Sequence, residues 1–522
     1  MPTVGEALQQ ARAQAAAGQF AEAEALLRRL TELLPEAAEV WGELGIFYLQ
    51  AQRPDAAVDP LAKATALAPG NGGYFGALGA TCRLLNRHAE AVAAFQRALD
   101  IGPPTPELYG NLALAQKDAQ RFDEALDNID RALAIRFDYQ TGHFNRGKLL
   151  LAMSRPREAV ASLERAVQLD PHDAGAHCSL GLACYELARW DAALAAFDRA
   201  LALQPGYHEA RRNQALVWFQ LGEYRKAWPA FESRFECDDF ARREFAVPRW
   251  GGSSLAGRTL YVHAEQGLGD GLQFVRYLRL ATRLAGRVWY EPHEALRPLL
   301  AQSGFGDLLA PAGTSPTFDT YASLLSLPGH LPDERGEPYW SAPYLQAERR
   351  LVEHWRTRLH HLQGYRVGIT WAGNPQYGYD RYRSTRLANF EPLGNIPGVH
   401  LISLQLGAGR KQLAELAGRI NVLDLGDELD VRWGAFMDTA AVIENLDLVI
   451  SVDTAITHLA GAMGRPVWVA LPRVPDWRWT AAGDTSPWYP SVRLFRQSKL
   501  DDWEPVFARM AEALRQHIGE RA

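Results

Sequence analysis

The chain has 522 residues, a formal net charge of −6, 47% apolar residues and 22% charged residues. The length allows three or four domains, the composition excludes a disordered chain, and the mild acidity argues against a nucleic-acid partner. Residues 1–240 contain 49 alanines and 4 tryptophans, whereas residues 241–522 contain 31 and 11. We therefore expect two halves of different construction.

Four cysteines are too few for a disulfide framework in a chain of this length. We expect Cys82, Cys178, Cys184 and Cys237 to be reduced thiols that bind no metal. The first twenty residues lack the basic and apolar regions of a signal peptide, and no apolar run reaches the roughly 18 residues that span a bilayer. These features predict a cytoplasmic protein without a membrane span.

The first half repeats every 34 residues, with repeats beginning at residues 4, 38, 72, 106, 140, 174 and 208. Position 8 of each repeat is glycine or alanine, and position 24 is large and apolar, as in Leu61 and Phe95. Position 20 is alanine in all seven repeats, at Ala23, Ala57, Ala91, Ala125, Ala159, Ala193 and Ala227. Two helices cross closely where they present small residues, and a larger apolar side chain fills the space beside the contact. The pattern predicts seven pairs of helices.

This pattern resembles the tetratricopeptide repeat, and the resemblance covers residues 4–241. It implies an all-α solenoid whose concave face is lined by the first helix of each pair. Position 6 carries Asn111, Asn145 and Asn213, and an amide that both donates and accepts hydrogen bonds suits a peptide backbone. Protein O-GlcNAc transferases use a ladder of such asparagines to hold a peptide. The ladder here is partial, so ordinary solvated polar residues are the alternative.

A domain boundary is expected in the stretch 232–258, which combines a charge run with Pro248 and a Gly-Gly-Ser-Ser sequence. We place the repeat domain at 1–241, one α/β half at 242–345 and a second α/β half at 346–522.

The second half alternates predicted strands and helices. Strands are predicted at 260–263, 288–290, 366–371, 400–405, 420–423, 447–452 and 467–471, the main helices at 272–284, 345–362 and 501–516, and a loop at 311–343. This alternation predicts two open parallel sheets of the Rossmann type with a cleft between them. Ligands of such sheets bind beyond the carboxyl ends of the strands, so the loops at those ends form the candidate site.

The loop after the first predicted strand reads Glu-Gln-Gly-Leu-Gly-Asp-Gly at 265–271. Its glycines let the backbone approach an anion at the start of the next helix, which makes Gly269 a candidate donor-binding residue. The dinucleotide fingerprint G-x-G-x-x-G fails because Leu272 stands at its third glycine. Asp270 is either a helix N-cap or a general base that faces the cleft.

A later predicted strand runs into Asp453 and Thr454, and a helix of small residues follows and ends at Gly464. Thr454 is placed to cap this helix, free backbone N–H groups are expected at its start, and His458 lies about one turn into it. These features suit a diphosphate. Because Asp453 would repel a phosphate, we expect it to brace the loop or to contact a sugar hydroxyl.

Further loops complete the predicted cleft. The loop 374–386 is polar and basic, so Arg381, Arg383 and Arg386 either balance a leaving diphosphate or form a solvated surface. Gln405 ends another predicted strand and is a candidate donor-binding residue. The loop 472–489 is rich in aromatic residues, which stack on sugars or nucleobases but also pack in cores.

The Gly-Leu-Gly-Asp turn at 267–270 and the Asp-Thr turn that precedes His458 resemble bacterial heptosyltransferases over residues 258–500. The resemblance implies an inverting, metal-independent sugar transferase with a two-domain GT-B fold. It implies Asp270 and His458 as catalytic residues, with Asp270 as the base, and it implies Arg383, Asp453, Thr454 and His458 as donor-binding residues. Gly269 and Gln405 are further candidates for the donor site. Arg383 stands where that family usually has lysine, and Ala455 stands where it usually has glycine.

Together the two halves resemble bacterial tetratricopeptide-repeat glycosyltransferases. This predicts transfer of a sugar from a nucleotide-diphosphate donor to a hydroxyl group of a protein that the repeats present, with no cofactor and no metal. The alternatives are a transferase acting on lipid or polysaccharide, a non-catalytic scaffold and a dinucleotide oxidoreductase. The nucleotide, the sugar, the acceptor and any oligomer are left open.

Overall fold

The computed structural model describes residues 3–313, 316–331, 338–340 and 343–520. The chain divides into two compact units, the first ending at Gly206 and the second beginning at Tyr207.

The first unit is all-helical and contains six pairs of antiparallel helices that begin at the predicted repeat starts. The helices are α1 (Val4–Ala16), α2 (Phe20–Leu33), α3 (Ala38–Gln50), α4 (Pro54–Leu67), α5 (Gly72–Leu84), α6 (His88–Ile101), α7 (Pro106–Asp118), α8 (Phe122–Ile135), α9 (Gln140–Ala152), α10 (Pro156–Leu169), α11 (Ala174–Glu186) and α12 (Trp190–Leu203). The seventh pair, α13 (His208–Gln220) and α14 (Tyr224–Phe231), belongs to the second unit. The prediction of seven helical pairs is confirmed.

The contact between the helices of a pair explains the repeat pattern. A Cβ atom added to Gly79, at position 8, would lie 2.9 Å from the ring of Phe95, at position 24 of the same repeat. Gly45 faces Leu61 in the same way, and Gly147 faces Leu163. Each large side chain therefore fills the space that the missing side chain leaves.

The second unit contains two parallel sheets, which confirms the predicted α/β class. The smaller sheet has the strands β1 (Leu255–His263), β2 (Ala285–Glu291) and β3 (Thr320–Ser323) in the order β2-β1-β3. The larger sheet has the strands β4 (Tyr365–Thr370), β5 (Val399–Ser403), β6 (Val422–Asp424), β7 (Leu448–Val452), β8 (Val467–Leu471) and β9 (Val492–Arg496) in the order β6-β5-β4-β7-β8-β9. The strand order reverses between β4 and β7, which is where an open α/β sheet binds its ligand.

Eleven helices of the described chain lie among and after these strands. They are α15 (Leu268–Phe274), α16 (Leu278–Ala281), α17 (Arg297–Leu300), α18 (Leu327–His330), α19 (Arg349–Leu359), α20 (Asp380–Arg383), α21 (Glu391–Gly394), α22 (Lys411–Glu415), α23 (Met437–Glu444), α24 (Ala455–Ala462) and α25 (Glu504–Gly519). The first of them begins four residues earlier than the sequence predicted, so Asp270 lies in its first turn rather than in a loop. The reason is that the Asp270 carboxylate accepts a hydrogen bond from the Gly267 N–H (2.8 Å), which stabilises the helix start.

The seventh helical pair shares an apolar core with the α/β part of the second unit. Phe219 stacks on Trp477 with ring centroids 4.3 Å apart, and Trp228 packs edge-on against Phe274 at 6.3 Å. The compact division therefore falls at residue 206, whereas the repeat pattern ends near residue 241.

The four cysteines are buried, and no disulfide joins them. In the part of the chain that the structure describes, no helix is both long and apolar enough to cross a membrane.

Candidate functional site

A cavity of about 990 Å³ lies in the second unit at the carboxyl ends of β4, β5 and β7 and beside the start of α15. The residues predicted for the cleft all line it: Gly269, Asp270, Arg383, Gln405, Asp453, Thr454 and His458. These residues come from four separate segments, and three of those segments follow the neighbouring strands β4, β5 and β7 of the larger sheet, where the strand order reverses.

Asp270 is held by partners on both carboxylate oxygens. Its Oδ2 accepts from the Gly267 N–H, and its Oδ1 forms an ion pair with Arg478. Burial raises the pKa of Asp270, and the attraction of Arg478 and the Gly267 hydrogen bond oppose this without reversing it. Gly267 holds the N-cap position of α15, and Asp270 is the third residue of that helix, which corrects the predicted N-cap role. Asp270 lines the cavity, and its role as general base stays a prediction.

His458 is a buried, neutral imidazole. Burial lowers the pKa of His458 well below its usual range, and the nearby guanidinium groups lower it further. Its Nδ1 lies 3.1 Å from the hydroxyl of Tyr489, and its ring stacks on Trp479 with centroids 5.3 Å apart. When Tyr489 donates to Nδ1, the proton of the ring is on Nε2.

Asp453 follows directly after β7 and lines the same cavity. Burial and the neighbouring Asp476 carboxylate raise the pKa of Asp453 to about 6. Its Oδ1 lies 3.9 Å from Nε2 of His458. Asp453 therefore sits where a negative charge is disfavoured unless a donor group or a cation approaches it.

Thr454 occupies the N-cap position of α24, but its side chain does not cap the helix. Its hydroxyl lies 3.1 Å from the Ser451 hydroxyl instead, which corrects the predicted capping role. The first backbone N–H groups of a helix have no intrahelical partner, and Ala455 and Ile456, the first two residues of α24, line the cavity. This helix start is therefore a source of N–H donors for an anion.

Arg383 is the one member of the predicted arginine cluster that lines the cavity; Arg381 and Arg386 do not. Its Nε donates to Asp380 (3.0 Å), and its guanidinium lies 4.9 Å from the ring centroid of Tyr377. The guanidinium is 18% exposed, so it is fixed in place and still reachable from the cavity.

Gln405 has a supporting position. Its side-chain oxygen accepts from the N–H groups of Trp371 (3.0 Å) and Ala372 (2.9 Å). Its amide nitrogen donates to the carbonyls of Ala372 (3.0 Å) and Leu406 (2.8 Å). Because these backbone bonds use the hydrogen-bonding capacity of the amide, Gln405 shapes the cavity wall by joining the ends of β4 and β5.

Gly269 lets α15 and α24 approach each other. A Cβ atom at this position would lie 3.1 Å from Cδ2 of His458 and 3.6 Å from Cα of Ala455. A side chain there would push apart the two helices that carry Asp270 and His458.

Sequence reasoning missed two residues of the cavity wall, Asp476 and Arg478. Arg478 is 7% exposed and donates to Asp476 (2.8 Å) as well as pairing with Asp270. The sequence signal was an Asp-Trp-Arg-Trp segment after β8, which was interpreted through its aromatic residues alone. Phe436, a non-glycine residue with a φ of 66°, also lines the cavity.

The asparagines of the predicted ladder lie in both units. In the first unit Asn111 is exposed and Asn145 is half-buried, at the same position of α7 and α9. In the second unit Asn213, on α13, is 7% exposed. Their role in binding a peptide stays a prediction.

Within the described residues, no group of three or more His, Cys, Asp or Glu side chains is arranged to hold a metal ion.

Two family models match separate parts of the chain. The model of the tetratricopeptide repeat matches residues 8–72, 144–208 and 185–238. The model of glycosyltransferase family 9 (heptosyltransferase) matches residues 435–502, which include Asp453, His458 and Arg478. The chain thus combines tetratricopeptide repeats with a glycosyltransferase-like α/β part.

Protein FlbA of Caulobacter vibrioides is 30% identical over 316 residues, which cover 55% of this chain and 51% of that protein. The chain therefore spans about half the length of the curated relative that it matches. Among solved structures, the APC/C heterotetramer Cut9-Hcn1 matches 45% of this chain and 46% of its own chain, with 18% identity and a TM-score of 0.38. YrrB, a TPR protein with an unusual peptide-binding site, matches 35% of this chain and 95% of its own, with 20% identity and a TM-score of 0.31.

Proposed function

We propose that the second unit transfers a sugar from a nucleotide-diphosphate donor to a hydroxyl group, with inversion at the anomeric carbon. The observation that carries the proposal is the meeting of Asp270 and the start of α24 in one cavity at the point where the strand order reverses. Such a reaction needs a carboxylate that can take a proton and a set of N–H donors that can hold an anion.

The donor diphosphate would lie at the start of α24. The N–H groups of Ala455 and Ile456 would donate to phosphate oxygens, and the Arg383 guanidinium would supply positive charge. A neutral His458 with its proton on Nε2 would donate one more hydrogen bond. Each of these interactions strengthens as the diphosphate gains negative charge on leaving, which is the condition for catalysis rather than simple binding.

Asp270 would act as the general base. Each carboxylate oxygen has a second lone pair, so Asp270 keeps accepting capacity when Gly267 and Arg478 are bound. The acceptor hydroxyl gives its proton to Asp270 while its oxygen forms a bond to the anomeric carbon. The bond from that carbon to the diphosphate oxygen breaks, and the electron pair leaves with the diphosphate.

The acceptor would be a protein held by the repeats. The repeats support this because tetratricopeptide arrays present concave surfaces to peptides, and Asn111 and Asn145 occupy equivalent positions on their first helices. A cytoplasmic location is part of the same proposal.

Two measurements test the function. A thermal-shift panel should show stabilisation by one of ADP, GDP, UDP or CDP, and the full chain should then transfer sugar from the matching nucleotide sugar. Asp270→Asn should lower kcat by at least about 100-fold, because it removes the base. The control is Asp307→Asn, which changes an exposed carboxylate of the same unit and should leave kcat unaltered.

Three outcomes would contradict the proposal or a part of it. Stabilisation by NAD alone would favour an oxidoreductase, and no response to any nucleotide would favour a scaffold. Full activity of Asp270→Asn would show that Asp270 is not the base.

A further inference from the structure

The turn that carries Arg478 is a short segment after β8. Residues Trp477–Trp479 form a single 3-10 turn that begins at Asp476. Thr480, which follows, has a φ of 58°, a left-handed conformation that a β-branched residue rarely adopts. Such a turn needs external contacts to hold its shape.

Helix α13 of the seventh repeat supplies contacts on one side. The side-chain amide of Gln220 donates to the carbonyl of Pro475 (2.6 Å). The backbone carbonyl of Gln220 accepts from the Ala481 N–H (2.8 Å). The ring of Phe219 stacks on Trp477 at 4.3 Å with an interplanar angle of 27°. Phe219 and Gln220 are 0% and 1% exposed, so these contacts are fully enclosed.

Strand β9 supplies contacts on the other side. The Arg496 guanidinium donates to the carbonyl of Trp479 at the end of the turn (2.7 Å) and to three carbonyls of the segment that follows, those of Thr480 (2.9 Å), Ala482 (3.2 Å) and Gly483 (2.7 Å). Burial lowers the pKa of Arg496 to about 10, which leaves it charged at neutral pH. The turn is thus fixed between a repeat helix and the sheet.

The same turn carries the ion-pair partner of Asp270. The guanidinium of Arg478 lies 4.3 Å from the ring centroid of Trp477, the ring that Phe219 stacks on. Arg478 is also the ion-pair partner of Asp270. A continuous series of contacts therefore runs from α13 through the turn to the carboxylate.

We propose that Phe219 and Gln220 are positioning residues for Asp270, so that the seventh repeat forms part of the sugar-transfer site. The proposal rests on the function proposed above for its catalytic consequence, but the placement of Arg478 by α13 can be measured without any substrate. Loss of either contact frees the turn and lets Arg478 leave Asp270.

The first experiment labels arginines of the full-length protein with phenylglyoxal and follows the Arg478 peptide by mass spectrometry. In the wild type Arg478 should be protected, and in Phe219→Ala and Gln220→Met its labelling rate should rise about tenfold. Arg473, which is exposed in the same segment, is the internal reference and should label equally in all proteins. Gln220→Met keeps the side-chain volume and guards against misfolding of Phe219→Ala. Tyr185→Ala, at the equivalent repeat position on α11, is the matched control and should leave Arg478 protected.

The second experiment measures transfer. Both variants should lower kcat more than they raise KM, and the acid limb of the pH–rate profile should move to higher pH, because Arg478 no longer lowers the pKa of Asp270. Unaltered labelling of Arg478 in both variants would overturn the inference. Increased labelling with an unaltered kcat and pH profile would overturn it as well. An inactive wild type refutes the proposed function instead, and the labelling result then decides the placement of Arg478 alone.

Discussion

The carboxylate of Asp453 is buried and is repelled by the negative charge of Asp476, and both effects disfavour its charged form. Its pKa of about 6 in the folded chain exceeds the ordinary 3.8. Below pH 3.8 the carboxyl is protonated in both the folded and the unfolded chain, so its burial carries no charge penalty. As the pH rises from 3.8 through 6, the unfolded chain loses this proton before the folded chain does, and the free energy of unfolding falls. A pKa displaced this far corresponds to about 3 kcal/mol.

Asp453→Asn should therefore raise Tm at pH 8, and its advantage over the wild type should shrink towards pH 5. Differential scanning calorimetry of both proteins across this range measures the effect. Asp307→Asn, which replaces an exposed carboxylate, should give a Tm difference that does not vary with pH. A pH-independent gain in Asp453→Asn would contradict the argument.

Gly269 lies at the close approach between α15, which carries Asp270, and α24, which carries His458. In Gly269→Ala the new Cβ must displace His458 or α24, so transfer should fall about 10- to 100-fold while the fold persists. The control is Gly251→Ala, because no atom lies within 4 Å of the added Cβ there. Steady-state kinetics with Tm values for all three proteins make the comparison, and normal kinetics in Gly269→Ala would disprove this role.

Most of the site was predictable residue by residue because its signals are local. Asp270, Asp453 and His458 each follow a strand within a few residues. The rule that ligands bind at the ends of the strands therefore identifies all three as candidate site residues. The Asp270–Arg478 pair was not predictable, because 208 residues separate its members and no local pattern in the sequence connects them. The capping role of Thr454 failed for a related reason, since Ser451 offers its hydroxyl another partner.

At the scale of elements, two glycines of α5 should respond in opposite ways to the same change. Gly79→Ala places a Cβ 2.9 Å from the Phe95 ring, whereas at Gly76 nothing lies within 4 Å. We expect Gly79→Ala to destabilise the repeats by about 1–3 kcal/mol through overpacking, and Gly76→Ala to stabilise them by about 0.5–1 kcal/mol through helix propensity.

Urea unfolding of the full chain, followed by far-UV circular dichroism, measures both effects. The double variant Gly79→Ala/Phe95→Leu should recover part of the loss, because the first repeat already combines an alanine at position 8, Ala11, with a leucine at position 24, Leu27, in one buried cluster. Equal effects of the two single variants would show that the helical contact does not depend on a small residue.

The elements that sequence predicted well are those with a strong period or a long apolar run. All seven helical pairs follow from the 34-residue pattern, and β7 and β8 are fully buried strands. The short strand β3 lies in a stretch predicted as loop, since four residues give too little periodicity. Strand β9, at the edge of the larger sheet, was not predicted. The start of α15 was predicted four residues too late, because its glycines and its aspartate were interpreted as turn residues.

At the scale of the whole molecule, the repeat pattern and the compact units disagree about where the α/β part begins. The seventh helical pair follows the repeat in sequence, yet its aromatic residues pack with Trp477 and Phe274. Arg234, just after α14, is 1% exposed and pairs with Glu265, which precedes α15. Removing this arginine would leave a buried carboxylate unpaired, which costs about 3–5 kcal/mol.

A fragment of residues 207–522 should therefore fold cooperatively and keep the nucleotide response of the full chain, whereas residues 242–522 should aggregate or melt without a transition. Calorimetry and size-exclusion chromatography distinguish these outcomes, and a fragment of residues 173–522, which adds one more helical pair, should behave like 207–522. If residues 242–522 instead melt at the temperature of the longer fragments, the boundary drawn from the repeat pattern is correct and α13 is dispensable. The expected result follows from burial. The seventh helical pair covers the turn whose Arg478 pairs with Asp270, and it belongs to the same apolar core as the α/β part.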